Sequence, residues 1–223
     1  MRARPLAGAL ALAVLLLAGC GGKDPNAPSR NLREDDQRWV EGALPRAQIL
    51  PGGWSGTADD RGAALDDCAA LDRSHLTLTG EAVASFERDD TLAAIAGTQI
   101  FASVEDARAF VSEPSDADAA ACLEEELAET FADDERGERL EDVRFRPGEP
   151  PAAGESARSA TGEAVYVLGE GRSPVAFELV WAQRDRAVLT LVTVGLGEEF
   201  PAEVRDTLLA DFDERTQEKP PPP

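Results

Sequence analysis

The chain has 223 residues, enough for one domain with its own core, and 43 acidic side chains outnumber 22 lysines and arginines. A formal net charge of −21 at pH 7 argues against nucleic acid as a partner. It also argues against electrostatic attraction to anionic lipid. Nucleic acids and anionic lipids are both negatively charged, so an acidic protein surface repels them.

The N-terminus combines a short positive start with an apolar run. Arg2 and Arg4 precede residues 6–19, which contain no charged side chain. That length is typical of a signal-peptide core and is too short to span a bilayer, which needs about 20 apolar residues. We therefore predict that residues 1–19 are a signal peptide.

The apolar run ends in Leu17-Ala18-Gly19-Cys20, which resembles the lipobox of bacterial lipoproteins. The resemblance implies cleavage before Cys20, which becomes a lipidated N-terminus whose acyl chains, palmitate among them, anchor the protein. Two acyl chains hold a protein firmly where one binds marginally, at about 0.8 kcal/mol per buried CH₂. The expected location is the extracytoplasmic face of the cell membrane. The alternative is an ordinary secretory signal with a chance cysteine.

Three regions are expected after the signal peptide. Residues 20–32 are rich in Gly, Pro and polar side chains and lack a hydrophobic period, which predicts a flexible tether behind the lipid. Residues 33–215 are expected to form a single sensor-like domain. Residues 216–223 form a Pro-rich tail that is too short to identify as a ligand motif.

The first half of the domain predicts one helix followed by strands. Trp39 and Val40 would face inward from the helix, and Pro and two Gly within residues 50–54 must end that element. Leu76 and Leu78 alternate with polar residues, as in a strand. The predicted elements are a helix over 33–44, a short strand around 75–79, and two strands over 80–88 and 92–103 joined by a turn at 88–91.

The second half predicts two helices, several strands and a last helix. Ser103 with Asp106 three positions later is a capping-box-like start, and Ser115 caps the next helix after Pro114 ends the first. Pro201 stands at the first turn of the last helix. Strands are predicted over 140–146, 158–168, 174–183 and 186–195, and the last helix buries Val204, Leu208 and Phe212.

This order of elements predicts the α+β class, with an antiparallel sheet and helices packed mainly on one face. The last strands are apolar on both faces. Such a sheet is covered twice, or is covered once with a ligand or partner on the other side.

Cys68 and Cys122 are the two cysteines that remain. In an oxidising compartment the pair is expected to form a disulfide rather than a metal site, the alternative being two free buried thiols. On an ideal helix whose core stripe includes Leu123 and Leu127, Cys122 falls almost opposite the stripe. Residues 66–72 are therefore expected to lie along the outside of that helix.

Catalytic and metal chemistry find little support in the sequence. The stretch Gly53-Trp54-Ser55-Gly56-Thr57 is the nearest approach to a nucleophile elbow, and Thr57 breaks the pattern. His75 is the only histidine, so any Ser-His-Asp or zinc scheme must use it, and a surface role is favoured. The acidic clusters lack EF-hand spacing. We expect no catalytic residue, no metal site and no cofactor.

The tryptophans are candidates for contacts with a ligand. Trp181 continues the stripe of Val175, Phe177 and Leu179, which favours a core position. Trp54 lies in a Gly-rich loop, where stacking on a sugar, lining a lipid cleft and packing in the core all stay open.

Four stretches, LPRAQILPGGW, DDCAALD, SVEDARAFV and AAACLEEEL, resemble a plan found in actinobacterial lipoproteins and in extracellular sensor domains of mycobacterial-type Ser/Thr kinases. The resemblance covers residues 44–131, with a sheet-rich remainder to about 196. A composition rich in Ala, Arg, Gly and Asp agrees with such a source. The kinase sensor domain has two disulfides, whereas this chain has cysteines for one and no kinase domain. The resemblance implies binding in a cleft beside an antiparallel sheet.

We therefore expect a monomeric, non-enzymatic binding or sensor-like module whose ligand is a small molecule, a lipid or an envelope protein. A carrier of lipid or another amphiphile is the alternative, and it predicts an apolar cavity above about 1,000 Å³. An envelope hydrolase that uses His75 is the third, and it predicts His75 bonded to a Ser or Asp in a cleft. A binding module predicts a shallower groove.

Overall fold

The computed structural model describes residues 26–59, 72–112 and 138–222, together with positions 117, 120, 121, 123, 124 and 127. Cys20, Cys68 and Cys122 lie outside the described residues, as does most of the segment 66–72. The lipid anchor, the disulfide and the placement of that segment therefore stay predictions.

The described elements form one mainly antiparallel sheet with helices. In chain order they are β1 (Ser29–Arg30), α1 (Glu34–Ala43), a 3₁₀ turn (Ala47–Ile49), β2 (Ser55–Asp59), β3 (Thr77–Arg88), β4 (Leu92–Phe101), α2 (Val104–Ser112), helical positions between 117 and 127, β5 (Glu138–Pro147), β6 (Ser156–Leu168), β7 (Gly171–Arg184), β8 (Ala187–Leu196) and α3 (Ala202–Glu218). The sheet order is β1-β3-β4-β8-β7-β6-β5, with β2 beside β3 on the edge that β1 also occupies. The predicted α+β class is confirmed. None of the described helices is long and apolar enough to cross a membrane.

Helices cover both faces of the sheet. On β8, Val188 and Val192 join a core with α2 and Leu123, while Leu189 and Leu191 join a second core with α1 and α3. The expectation that the helices lie mainly on one face is corrected. Strands that are apolar on both sides do not specify which helix covers which face.

The helix α1 lies directly against β3 because Gly80 has no side chain. A Cβ on Gly80 would lie 2.8 Å from the main-chain carbon of Asp36, closer than packed carbon atoms approach. The Gln37 side chain accepts the N–H of Glu81 at 3.2 Å and donates to the Glu81 carbonyl at 2.9 Å. These contacts fix the position from which Asp36 and Trp39 reach the second core.

The segment 26–33, assigned mostly to a flexible tether by its composition, is hydrogen-bonded to the sheet edge. Three of its main-chain N–H groups, on Ser29, Asn31 and Arg33, donate to carbonyls beside or within β3 at 2.8 to 2.9 Å. The carbonyl of Asn26 accepts the N–H of Arg73 at 2.7 Å. Residues that belong to the sheet edge therefore lie close in sequence to Cys20.

Glu141 on the edge strand β5 is paired with an arginine of its own strand, Arg139, and with Arg172 at the start of β7. Its carboxylate accepts hydrogen bonds from Arg172 at 2.6 Å and from Arg139 at 2.8 Å. The hydrogen bond from Arg172, followed by that from Arg139, lowers the pKa of Glu141.

Candidate functional site

His75 lies in an exposed turn that precedes β3, not on a strand as predicted. Ser74 donates to the Asp72 carboxylate from its hydroxyl at 2.6 Å and from its N–H at 3.1 Å. These two hydrogen bonds lower the pKa of Asp72, and the nearby His75 lowers it further. The position of His75 on the surface suits a turn residue better than a catalytic base.

Both candidate tryptophans pack against other side chains. Trp181 is 9% exposed and belongs to the core that α2 covers, as predicted. The Trp54 ring centroid lies 5.5 Å from that of Phe200 and 5.3 Å from the Arg88 guanidinium carbon. An aromatic pair and a cation–π contact account for the placement of Trp54.

An open groove of about 700 Å³ lies between α3 and the loop 148–155, which joins β5 to β6. Pro151, Ala152 and Ala153 form one wall, and α3 forms the other. Leu209 and Ala153 are buried and supply apolar surface. The polar lining residues are Arg205, Asp206, Asp213, Glu214, Gln217 and Glu218.

Hydrogen bonds donated by two main-chain N–H groups hold the loop wall in place. Gly154 has φ +66°, a conformation that favours glycine, and a Cβ there would collide with the carbonyl of Gln183. The N–H of Gly154 donates to Asp213 on α3 at 3.1 Å, and the N–H of Glu155 donates to the Gln183 carbonyl at 2.7 Å. The groove is therefore preformed, since both of its walls are fixed by the fold.

Ion pairs neutralise part of the acidic lining. Arg184 donates to one Asp213 oxygen at 2.8 and 2.6 Å. Arg205 lies 3.0 Å from Glu178 and 2.8 Å from Asp206. Burial by itself lowers the pKa of Arg205, but the hydrogen bonds and charges of Asp206 and Glu178 outweigh it and raise that pKa.

Two carboxylates of the groove keep their charge available. Glu214 and Glu218 are exposed and have no ion-pair partner within the described part of the chain. The groove therefore carries negative charge beside an apolar floor. This combination suits a polar ligand that has a cationic group and a short apolar part.

The lining offers charged and hydrogen-bonding groups. Carboxylates, a guanidinium and an amide face the groove, and neither histidine nor cysteine is among its lining residues. No group of three or more metal-ligating side chains occurs among the residues that the structure describes.

The sequence predicted the two elements that form this groove but not their contact with each other. The acidic residues of α3 recur at helical spacing, and residues 147–157 read as a loop. Nothing local indicated that the loop folds back onto α3, because the contact joins positions 59 residues apart.

No protein-family model matches the sequence, and no curated protein matches it. Among solved structures, the chain is similar to the extracellular domain of PknH from Mycobacterium tuberculosis. The identity is 11% and the TM-score 0.48, over 82% of this chain and 97% of that one. It is also similar to an uncharacterised protein from Mycobacterium smegmatis, with 12% identity and a TM-score of 0.35, over 84% of this chain and 96% of that one.

Both neighbours are mycobacterial proteins. One of them is an extracellular domain.

Proposed function

We propose that the protein is an extracytoplasmic, non-enzymatic binding module that is anchored by lipid on Cys20. Its ligand occupies the groove between α3 and the loop 148–155. The observation that carries the proposal is the preformed groove itself, with one wall pinned through Gly154 and Asp213. A site that exists before the ligand arrives loses little conformational entropy on binding.

The charge of the groove selects the ligand class. Glu214 and Glu218 attract a cationic group, while Leu209 and Ala153 accept a small apolar group. The ligand is accordingly a small molecule or peptide segment of the envelope that carries an amine or guanidinium. Because the carboxylates are exposed, salt weakens this attraction.

The groove favours binding over the two alternatives. A carrier of acyl chains needs an enclosed apolar cavity above about 1,000 Å³, whereas this groove is open and charged. A hydrolase that uses His75 needs that side chain in a cleft, and His75 is not among the groove residues.

A matched pair of substitutions on α3 tests the site. Ala210 is exposed and lines the groove, whereas Ala202 is exposed on the same helix and is not a lining residue. Ala210→Trp fills the groove, and Ala202→Trp adds the same ring outside it. Each variant and the unsubstituted protein are purified from their own membrane and weighed by native mass spectrometry.

We expect a copurifying mass with the unsubstituted protein and with Ala202→Trp, and its loss with Ala210→Trp. Washing at about 1 M salt, where the Debye length falls to about 3 Å, should release the ligand. A ligand that is retained equally by both variants contradicts the groove as its site. Retention at high salt contradicts its cationic character.

A further inference from the structure

The residues that follow α3 fold back against α1 and against the turn between β7 and β8. The indole N–H of Trp39 donates to the Lys219 carbonyl at 2.8 Å. Nη2 of Arg186 donates to the Pro222 carbonyl. Pro221 between them is buried. Two donors from distant parts of the chain therefore hold a Pro-rich segment by its main-chain carbonyls.

These donors keep their positions through contacts that do not involve the Pro-rich segment. The Arg186 guanidinium lies 2.9 Å from Asp36 and donates to the Phe101 carbonyl at 2.7 Å. Its side chain is 9% exposed and that of Asp36 is 2% exposed. Trp39, 4% exposed, packs in the core under α1 and α3.

Residues 219–222 can therefore leave the site without leaving the buried Arg186 guanidinium unpaired. A buried guanidinium that loses its acceptors is strongly unfavourable. Arg186 retains Asp36 and Phe101 when Pro222 departs, and only one N–H then turns to water. This arrangement suits exchange of one occupant for another.

The sequence separation of the two bound carbonyls equals the three-residue repeat of a polyproline II helix, while Lys219 itself, at φ −137° and ψ 86°, is the C-cap of α3 and lies outside that conformation. Polyproline II has three residues per turn, so carbonyls three positions apart point to the same side. Lys219 and Pro222 have that separation. Proline has no N–H, so carbonyls are the only main-chain groups that such a segment offers for hydrogen bonding. Aromatic-lined sites bind Pro-rich ligands through the same chemistry.

We infer that Trp39 and Arg186, the latter oriented by Asp36, form a binding site for a Pro-rich segment of a partner protein. Residues 219–222 of the chain occupy this site until the partner displaces them. Tethering gives the resident segment an effective concentration of millimolar order, so it competes strongly with a free peptide. The site shares no residue with the groove, and its test is independent of the proposed function.

The test is fluorescence anisotropy with a labelled peptide, Glu-Lys-Pro-Pro-Pro-Pro, that copies residues 218–223. The receptor is the full chain with Pro220, Pro221 and Pro222 changed to Ser, here called the tail variant. The tail variant is expected to bind the peptide at least about tenfold more tightly than the unsubstituted chain, because the resident competitor is weakened. A peptide with Ser in place of each Pro is the control ligand.

Two tryptophan substitutions in the tail variant identify the site. Trp39→Phe removes one hydrogen bond and is expected to weaken peptide binding by about fivefold. Trp54→Phe, at an indole that packs against Phe200 instead, should leave binding unchanged. No binding by the tail variant, equal binding of the Ser peptide, or equal effects of the two Phe variants would overturn the inference.

A second measurement covers the case in which the tail variant does not fold. The unsubstituted chain is observed by NMR with a millimolar excess of the Pro peptide carrying a nitroxide label. The indole signal of Trp39, identified from its absence in Trp39→Phe, should broaden more than those of the other two tryptophans. Equal or absent broadening refutes the site.

Discussion

The ion pair between Asp36 on α1 and Arg186 beside β8 gives the sharpest energetic prediction. Its two side chains are 2% and 9% exposed. Removing one partner of a buried pair costs about 3–5 kcal/mol, because the other charge stays buried. In Asp36→Asn, the Phe101 carbonyl and the new amide oxygen remain as acceptors. We therefore expect the lower end, a loss of about 3 kcal/mol in the free energy of unfolding.

Urea unfolding followed by circular dichroism measures this loss. With a slope of about 2 kcal/mol per molar urea, the midpoint should fall by about 1.5 M. Glu34→Gln is the matched control on the same helix, since it breaks an exposed pair with Arg38 at 2.6 Å whose side chains are 64% and 89% exposed. That variant should lose less than about 1 kcal/mol.

A double variant completes the test. Asp36→Leu combined with Arg186→Met leaves no unpaired buried charge at this position, so its cost should be well below the sum of the costs of Asp36→Leu and Arg186→Met alone. Equal losses for Asp36→Asn and Glu34→Gln, or strict additivity in the double variant, would refute the argument that burial sets the magnitude.

Three further predictions concern the anchor, the groove wall and the edge strand. Cys20→Ala should move the protein to the soluble fraction or leave an unprocessed precursor; normal processing with membrane retention would exclude the lipobox. Gly154→Ala places a Cβ against the Gln183 carbonyl in a left-handed backbone conformation, so it should lower the free energy of unfolding, measured in urea, by at least about 2 kcal/mol. Gly169→Ala is the control, because Gly169 has φ +58° but open space around it, and it should lower that free energy by only about 1 kcal/mol. The lowered pKa of Glu141 contributes stability that is complete above the ordinary carboxyl pKa and is lost as the pH falls through the lowered value. In thermal unfolding below pH 4.5, Glu141→Gln should therefore lose less stability on acidification than the unsubstituted chain, and parallel pH profiles would contradict the stabilising role of its two arginine bonds.

Local sequence patterns predicted helices α1 to α3 and most of the long strands, but the two strands predicted around 75–79 and over 80–88 are one continuous strand, β3. The capping start at Ser103 is confirmed, since its hydroxyl oxygen accepts the N–H of Asp106 at 3.0 Å. The turn between β3 and β4 is confirmed: Asp89, Asp90 and Thr91 connect the paired residues Arg88 and Leu92, and both aspartates have positive φ. These features depend on a few consecutive residues, so they can be predicted from the sequence alone.

The sequence analysis did not predict the two short strands β1 and β2, because the composition of both segments is typical of loops. The strand β1 lies in a Pro- and Asn-containing stretch, and β2 contains Gly and Asp but no large apolar residue. Their hydrogen bonds to β3, not an alternating pattern, make them strands. Pairing with an existing edge can order a segment whose own composition predicts a loop.

The sequence by itself determined the approximate positions of the long strands and of helices α1 to α3, and which strand residues are apolar. It also determined that Phe177, Leu179 and Trp181 share one face of a strand. Only the tertiary structure decided that β4 pairs with β8, that helices cover both faces, and that Asp36 meets Arg186 across 150 positions. Periodicity encodes which side of an element is apolar, not the element that it meets. That choice is made when side chains from distant segments pack together and buried charges must find partners.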